Sequence, residues 1–540
     1  MNLIYRLLTL LVLVAGIALF WRVDHLSTQD GPVHLYMATL DRDIDSPDFD
    51  KARYYLQREN KPTPNQLTHF ILKNLLRFLS MDQAEKILVS GMVLLLLTGT
   101  AFALAPLGGN PLLFVSLAVP LAHSYTLHLG LYNYYFSLGL FLFGAGLWIR
   151  WAMERHIKWL LRFCLLFAFS ILTHPFATGS LALFAGVATL SGVLRPAGDG
   201  EEAISLRELA LFALFLVPGA MLMLAFVLSD TGIRAPHTVY QWHIPWIERL
   251  HQFFTLGFNQ TYTAENMLIS AVNLAALLAL IIVALVGLRR HGPVHTLVSR
   301  SLLAAFLAFL LLYFMAPFRF KDDIFITDRL LPFVYLSLLL WLGSLPLNRF
   351  ANLALTLLSL GAALVTLNMR DGEYRNFDRV IAHYLQPFEH MEPNHTVLAL
   401  NISLAESAQK VETVGRPWHP SSFFPTPVQH QSARGAATRK LIDLSTFQLG
   451  TNLFWIAYRD AVNPYRSFSK IEFYLTQSEL NDFRNRGGEV DYLLIWGSTE
   501  SMLVNFAQGE ALLTLLGKDY DLIKAYDDEY PMRLYRRRKA

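Results

Sequence analysis

Residues 157–194 read IKWLLRFCLLFAFSILTHPFATGSLALFAGVATLSGVL, two apolar runs joined by Thr173-His174-Pro175. Taken as one bent helix, the stretch crosses a bilayer once. Taken as two, it crosses twice, and every later segment changes side. Proline disfavours helix at the residue before it, and each half keeps nearly enough apolar residues to cross about 30 Å of hydrocarbon. The stretch is therefore read as two spans. Outward from it, comparable runs lie near 3–21, 86–106, 110–128, 131–149, 208–228, 265–288, 300–316, 329–345 and 350–369, which brings the expected number of spans to about eleven. The first run follows a single basic residue, Arg6, and no small-x-small cleavage site precedes Arg22. It reads as a retained first helix rather than a signal peptide.

Composition points the same way. The chain is 54% hydrophobic and 16% charged, against about 25% charged in a soluble domain, so it lacks the polar residues to coat a globule of this length. The formal net charge of +3 is small, and the basic residues are spread along loops, which leaves no nucleic-acid footprint. The sole cysteine, Cys164, lies inside an apolar run, so neither an intrachain disulfide nor a cysteine metal site can be built.

Lys and Arg in short loops set orientation. With eleven spans, Arg150, Arg155 and Lys158, then Arg195 and Arg207, then Arg289, Arg290 and Arg300, and finally Arg349 all fall on one side. That side is expected to be cytoplasmic, with the N-terminus on it. The loops around 22–85, 124–132, 174, 229–264 and 317–328 face the other way and hold many of the histidines and acids. Chemistry is expected there. The first of these loops carries two amphipathic segments, 33–41 and 66–79, the second with Leu67, Phe70, Ile71, Asn74, Leu75 and Phe78 at helical spacing. Both are expected to lie in the membrane interface, with 41–64 as an exposed or mobile loop between them.

After Arg370 the composition turns polar. A helix is expected over 377–388, strands over 396–401, 490–496, 520–526 and 532–535, and a helix near 501–516. The fold class is thus an α-helical polytopic membrane protein, with a transmembrane domain over 1–370 and an extracytoplasmic α/β domain over 371–540. No Gly-rich phosphate loop follows either strand, which removes support for nucleotide binding.

Asp30, in Gln29-Asp30-Gly31-Pro32-Val33-His34-Leu35, stands just beyond the first helix. Two readings apply. A carboxylate at the membrane rim can take a proton from a hydroxyl; equally, Asp before Gly-Pro can simply cap the helix that follows. Arg319, Lys321, Asp328 and Arg329 lie in or beside the last loop of this face, and His174 lies at the turn between two spans. Arginine binds two phosphate oxygens with its planar fork, whereas basic residues at this depth also serve as interface anchors that snorkel. Arg329 can equally pair with Asp328, and His174 can cap the broken helix. Tyr132, Asn133, Tyr134 and Tyr135 cluster at another outer turn, where aromatic rings either stack on sugar or form the interfacial belt. His237, Trp242, His243, Trp246 and His251 crowd the loop 229–264 without a metal-ligand spacing, and His123 and His128 are expected to face the bundle interior.

Asp30-Gly-Pro-Val-His-Leu-Tyr-Met-Ala, Leu131-Tyr-Asn-Tyr-Tyr-Phe-Ser-Leu-Gly, Leu172-Thr-His-Pro-Phe and Asp328-Arg-Leu-Leu-Pro-Phe333, in that order on one face, resemble a group of bacterial membrane proteins of the GT-C superfamily of lipid-linked-sugar glycosyltransferases. The resemblance spans the membrane part. It implies a bacterial inner membrane, a polyprenyl-phosphate sugar donor, and transfer to an acceptor at the outer face in cell-envelope glycan, lipid or protein glycosylation. It assigns Asp30 as the catalytic acidic residue, acting as general base; His34, Tyr132, Asn133, His174, Lys321, Asp328 and Arg329 are the substrate-binding candidates on the same face. A second nearby acid is usual in that superfamily, and only Asp24, or Asp41 and Asp43, offer themselves, which leaves a divalent metal cofactor open. Competing classes are a transporter or lipid flippase, against which no internal repeat appears, a polysaccharide polymerase or ligase working with Arg and His, and a scaffold whose outer domain binds a partner.

Overall fold

The computed structural model describes residues 3–44, 46, 53–57, 64–194, 203–228, 240–241, 246–259, 267–293, 295–317, 319–320, 326–402, 426, 428–450, 454–469, 474–497, 509–528 and 530–539. Helix α1 (Leu3–Ala18) opens the chain, and α2 (Gly31–Arg42) and α3 (Leu67–Leu75) belong to the first loop. The bundle follows as α4 (Met81–Leu104), α5 (Pro111–Ala122), α6 (Tyr125–His128), α7 (Tyr132–Glu154), α8 (Ile157–Ser170) and α9 (Pro175–Leu194). It continues as α10 (Leu206–Leu228), α11 (Trp246–Phe254), α12 (Met267–His291), α13 (Thr296–Met315), α14 (Ile326–Gly343) and α15 (Arg349–Leu385). Among the described residues nine helices are long and apolar enough to cross a membrane, and the protein is an integral membrane protein.

The remaining two of the eleven expected spans are shorter helices. The break at Thr173-His174-Pro175 is present: α8 ends at Ser170 after 14 residues and α9 begins at Pro175. His174 Nδ1 accepts from Phe176 N at 3.1 Å and so caps α9. The expected span 110–128 is divided. Helix α5 has 12 residues, about 18 Å of rise. It stops where His123 leaves helical geometry and bonds its ring to Tyr374 Oη and Gly16 O, both at 2.9 Å. His128 reaches the same Tyr374 Oη at 2.8 Å, so both histidines do face the bundle interior.

One end of the bundle gathers the turns that matter. Asn65 N and Leu67 N donate to Thr173 O and Leu172 O, at 3.0 and 3.2 Å, which seats α3 on the α8–α9 turn. On the same face Arg370 Nη2 donates to Asn259 O at 2.8 Å, and Arg249 Nη1 to Phe314 O at 2.7 Å. The opposite end carries the 3.6 Å pair of Arg155 with Glu208 and the bond from Ser344 Oγ to Ser299 Oγ at 2.9 Å.

Two expectations change at this end of the bundle. Residues Gly31 to Asp41 of α2 are all buried, because Val33, Tyr36, Met37 and Leu40 share one hydrophobic cluster with the C-terminal sheet region. Helix α2 is therefore clamped between protein surfaces instead of lying in lipid headgroups. Helix α3 keeps Phe70 56% exposed, as an interfacial helix requires, and it ends at Leu75, short of residue 79. Second, α15 runs unbroken for 37 residues, about 55 Å. It joins the last expected span to the helix expected over 377–388, since no proline separates them and Gly372 stays in helical geometry. Its start is capped by Asn348, whose Oδ1 accepts from Ala351 N at 2.8 Å.

Beyond α15 lies a five-stranded sheet in the order β5-β4-β7-β9-β8. In chain order, β1 (Tyr55–Gln57), β2 (Tyr240–Gln241) and β3 (Arg319–Phe320) come from loops between the long helices, and β4 (Thr396–Asn401), β5 (Ile442–Asp443), β6 (Ile456–Tyr458), β7 (Tyr492–Trp496), β8 (Tyr520–Tyr526) and β9 (Met532–Arg537) follow. Strands β4 and β7 are parallel and wholly buried, as continuous apolar runs require. The four strands expected in this region are present; its helices include α16 (Gln431–Arg439), α17 (Gln477–Asn485) and α18 (Gly509–Asp519). The start of the helix expected from residue 501, and most of the loop 41–64, lie outside the described residues. Within that loop, however, β1 pairs antiparallel with β6. Tyr36 Oη donates to Leu441 O at 2.8 Å and accepts from Asp443 N at 3.0 Å.

Candidate active site

Gln29 N and Asp30 N donate to His128 O and Leu129 O, at 2.9 and 3.1 Å, which locks the entry of α2 onto the α6–α7 turn. Gly130 closes that turn at φ +78°, and a Cβ there would meet Gly31 N and Asp30 N at 2.7 and 2.8 Å. Only glycine fits. Gly31 is equally tight: a Cβ on it would run into Thr28 Oγ1, Glu85 Oε1 and Tyr132 Oη.

Asp30 occupies the N-cap position of α2, and its carbonyl accepts from Val33 N and His34 N. Its side chain makes no capping hydrogen bond. The carboxylate, 14% exposed, instead stands with Oδ1 at 3.6 Å from Nε2 of His430, a side chain 5% exposed. His430 precedes α16 in the left-handed conformation, φ 64°, with its ring 5.2 Å from Phe447.

Behind this pair runs a buried charge network. Arg434 Nη2 binds Glu85 Oε2 at 2.6 Å and its Nη1 binds Asp82 Oδ1, while Nε donates to Gln431 Oε1 at 3.1 Å. Glu85 Oε1 accepts from Tyr132 Oη at 2.6 Å and from Thr28 Oγ1 at 3.3 Å. Asp82 also meets His25 Nδ1 at 3.2 Å. The second carboxylate beside the Asp30 loop is thus Glu85. Asp41 pairs with Lys73 at 2.9 Å and Asp43 with Arg42 at 2.6 Å, while Asp24 N donates to Asp378 Oδ2. Glu85 is already committed to Arg434, Tyr132 and Thr28, and the described residues hold no cluster of three or more His, Cys, Asp or Glu suited to a metal ion. The described residues around Asp30 do not fit a carboxylate metal site.

His34, one turn past Asp30, has Nε2 at 3.0 Å from Gly130 O and Nδ1 at 2.9 Å from His69 Nε2. Burial depresses both rings, His34 well below its usual value and His69 to about 4. Two neutral rings share two protons. They serve two of the three contacts that the rings make with each other, with Gly130 O and, at 3.3 Å from His69 Nδ1, with Asn65 O.

The start of α7 spreads three side chains in three directions. Tyr132 reaches Glu85 and Thr28. Asn133 accepts from Thr68 N at 3.0 Å and donates to Asn65 O at 2.8 Å. Tyr134 donates to Arg329 O at 2.5 Å and packs edge-to-face on His174, with the ring centroids 5.8 Å apart. These tyrosines are buried, so they form no interfacial belt. Asp328 and Arg329 lie in the first turn of α14, 7% and 8% exposed, with Gln252 Nε2 donating to Asp328 Oδ1 at 3.2 Å. Helix α14 starts at Ile326, and Pro332 stands inside it. Lys321, His237, Trp242 and His243 lie outside the described residues; Arg319 is described only as part of β3.

Of the sequence candidates, Asp30, His34 and Tyr132 converge, and α7 links them to Asn133, His174, Asp328 and Arg329. Glu85, Arg434 and His430 were missed. The spacing of Asp82 and Glu85, three apart at the mouth of an expected span, marks one acidic helix face. Nothing local marks His430 or Arg434. A cleft of about 590 Å3 opens elsewhere, on the sheet, rimmed by Arg484, Lys518, Arg536, Arg537 and Arg538. Its four arginines already pair with Asp519, Glu392, Glu489 and Asp521 at 2.8 to 3.3 Å, so it is a balanced charged surface remote from Asp30.

No family model and no curated protein matches the chain. Among solved structures it is similar to the Archaeoglobus fulgidus oligosaccharyltransferase tethered to an acceptor peptide, with 12% identity over 99% of this chain and 74% of that one and a TM-score of 0.46. It is similar to the mycobacterial arabinofuranosyltransferase AftD, with 14% identity over 98% of this chain and 40% of that one and a TM-score of 0.48. It is also similar to ArnT of Cupriavidus metallidurans bound to undecaprenyl phosphate, with 11% identity over 98% and 97% and a TM-score of 0.39. All three scores fall below 0.5, so what the site does is read from its own residues.

Proposed function

We propose that the protein is a GT-C-type glycosyltransferase that moves a sugar from a polyprenyl-phosphate donor to an acceptor hydroxyl at the outer face of the bacterial inner membrane, with Asp30 as the base. The observation that carries this reading is a carboxylate at the N-cap of α2 that does not cap it. An aspartate whose role is capping satisfies the helix N–H groups, and this one stands against His430 on the end of the bundle where α3, the α8–α9 turn and the sheet region meet. Chemically, Asp30 takes the proton of the acceptor hydroxyl while that oxygen bonds to the anomeric carbon. The bond from carbon to phosphate oxygen breaks, and its electrons leave with the polyprenyl phosphate. Charge on the leaving phosphate is best stabilised by a fixed donor in a low-dielectric place. Arg329 is the donor proposed, with Tyr134, His174 and Asp328 arranging its surroundings.

Asp30→Asn tests the assignment, because the amide keeps size and capping ability and loses proton acceptance. The assay uses proteoliposomes, a panel of undecaprenyl-phosphate hexoses and pentoses, and cell-envelope extract as acceptor. Turnover is expected to fall by about 10²–10⁴-fold with donor binding and expression unchanged. Parental turnover by Asp30→Asn would refute the mechanism.

A further inference from the structure

We infer that His430 is the positioning residue of the Asp30 carboxylate, so that the segment leading into α16 completes a site opened 400 residues earlier by the first loop; this rests on the reading of Asp30 as the base. Three contacts, four residues apart, run along the flank of Asp30. Thr426 N donates to Gln29 Oε1 at 3.0 Å, His430 Nε2 faces Asp30 Oδ1 at 3.6 Å, and Arg434 grips Glu85 beside Gly31. The outer two are anchors, and the middle one meets the reacting group. His430 also sits in the left-handed backbone region, sparsely used by residues other than glycine and enriched where surroundings force a side chain into place.

The separation is that of an ion pair, longer than a hydrogen bond, and such contacts tighten when substrate closes the site. His430 Nε2–H then donates to Oδ1 and fixes the plane of the carboxylate. Oδ2 accepts the acceptor proton, and that proton passes to water after the product departs. A carboxylate free to rotate presents this oxygen correctly only part of the time, so the effect falls on turnover and leaves substrate affinity alone.

Two polar replacements separate a positioning role from a structural one. Glutamine carries an amide N–H to about the place of Nε2; asparagine reaches only the place of Nδ1. In proteoliposomes with undecaprenyl-phosphate hexoses and pentoses and cell-envelope extract, His430→Asn should lower kcat by about 10- to 100-fold, with KM for the donor unchanged. His430→Gln should stay within about threefold of the parent. Asp30→Asn combined with His430→Asn should be no slower than Asp30→Asn alone, because a residue acting through another adds nothing once that other is gone. Thermal unfolding midpoints of the variants check folding. The inference is overturned if His430→Asn keeps parental kcat while Asp30→Asn is inactive, if glutamine and asparagine lose equally, or if the two losses multiply. Parental turnover by Asp30→Asn is a different result, which removes Asp30 as base and the role of His430 with it.

Discussion

Arg434→Met tests the network that holds the α16 segment to the membrane bundle. Two carboxylates receive the guanidinium, and they are not equivalent. Asp82 is 33% exposed and retains His25, so solvent and a second partner cushion its loss, and its share is about 1 kcal/mol or less. Glu85 is 0% exposed and sits 2.6 Å from Nη2. Removing one partner of such a buried pair costs about 3–5 kcal/mol, because the other charge stays buried and uncompensated. The donors Tyr132 and Thr28 remain on Glu85 Oε1, which places the loss near the lower end, about 3 kcal/mol. Unfolding of the purified protein in detergent, followed by tryptophan fluorescence, reads the change. Arg434→Met with Glu85→Gln should recover more than half of it, since no buried charge is then stranded. A loss below about 1 kcal/mol in the single variant, or no recovery in the double, refutes the reasoning.

Cysteines placed at Gly487 and Gly292 are expected to label from opposite sides of the membrane with an impermeant thiol reagent; labelling from one side overturns the topology. Gly31→Ala should lower both stability, by about 1–3 kcal/mol, and turnover, because the added methyl displaces Thr28, Glu85 or Tyr132 and with them the Asp30 loop; a stable and fully active alanine variant contradicts the packing. His69, depressed to about 4 in the fold by burial, leaves stability complete above about pH 6.5 and erodes it toward pH 4, by about 3 kcal/mol in all, as the unfolded chain takes up the proton. His69→Asn should flatten that slope, and an unchanged acid profile counts against a neutral pair. Arg329→Lys is expected to weaken donor binding about tenfold, since a point charge replaces a two-pronged donor; equal binding of undecaprenyl-phosphate sugars removes Arg329 from the site.

What was legible in the sequence follows from the range of the forces involved. Apolar length marks a span locally, so the helices appear where the runs lie, and the break at Pro175 is a property of adjacent residues. Strands β4 and β7 were legible as continuous apolar runs. The continuity of α15 was not, because the change of composition at Arg370 reports a change of solvent and carries no helix stop. The depth of α2 was misread for a related reason: Val33, Tyr36 and Leu40 make an apolar face, and a face alone does not say whether lipid or protein covers it. In the site, Asp30, His34 and Tyr132 were reachable because they lie in short patterned segments. His430 and Arg434 meet their partners across some 350 to 400 residues of chain, and only folding brings them there.

Helix α15 gives the sheet region a rotational phase as well as a tether. Arg370 with Asn259 O, Tyr374 with His123 and His128, and Asp378 with the backbone of Asp24 and His25 pin it at successive turns. Each inserted residue turns everything beyond it by about 100° and lifts it by about 1.5 Å. One extra residue just before Gln386 would swing α16 and its histidine away from the first loop, whereas seven would bring them nearly back into phase, about 10 Å farther from the bundle. The same sequence could then keep every span and every strand intact and still possess no site, because angle and height are specified by the count of residues in one helix.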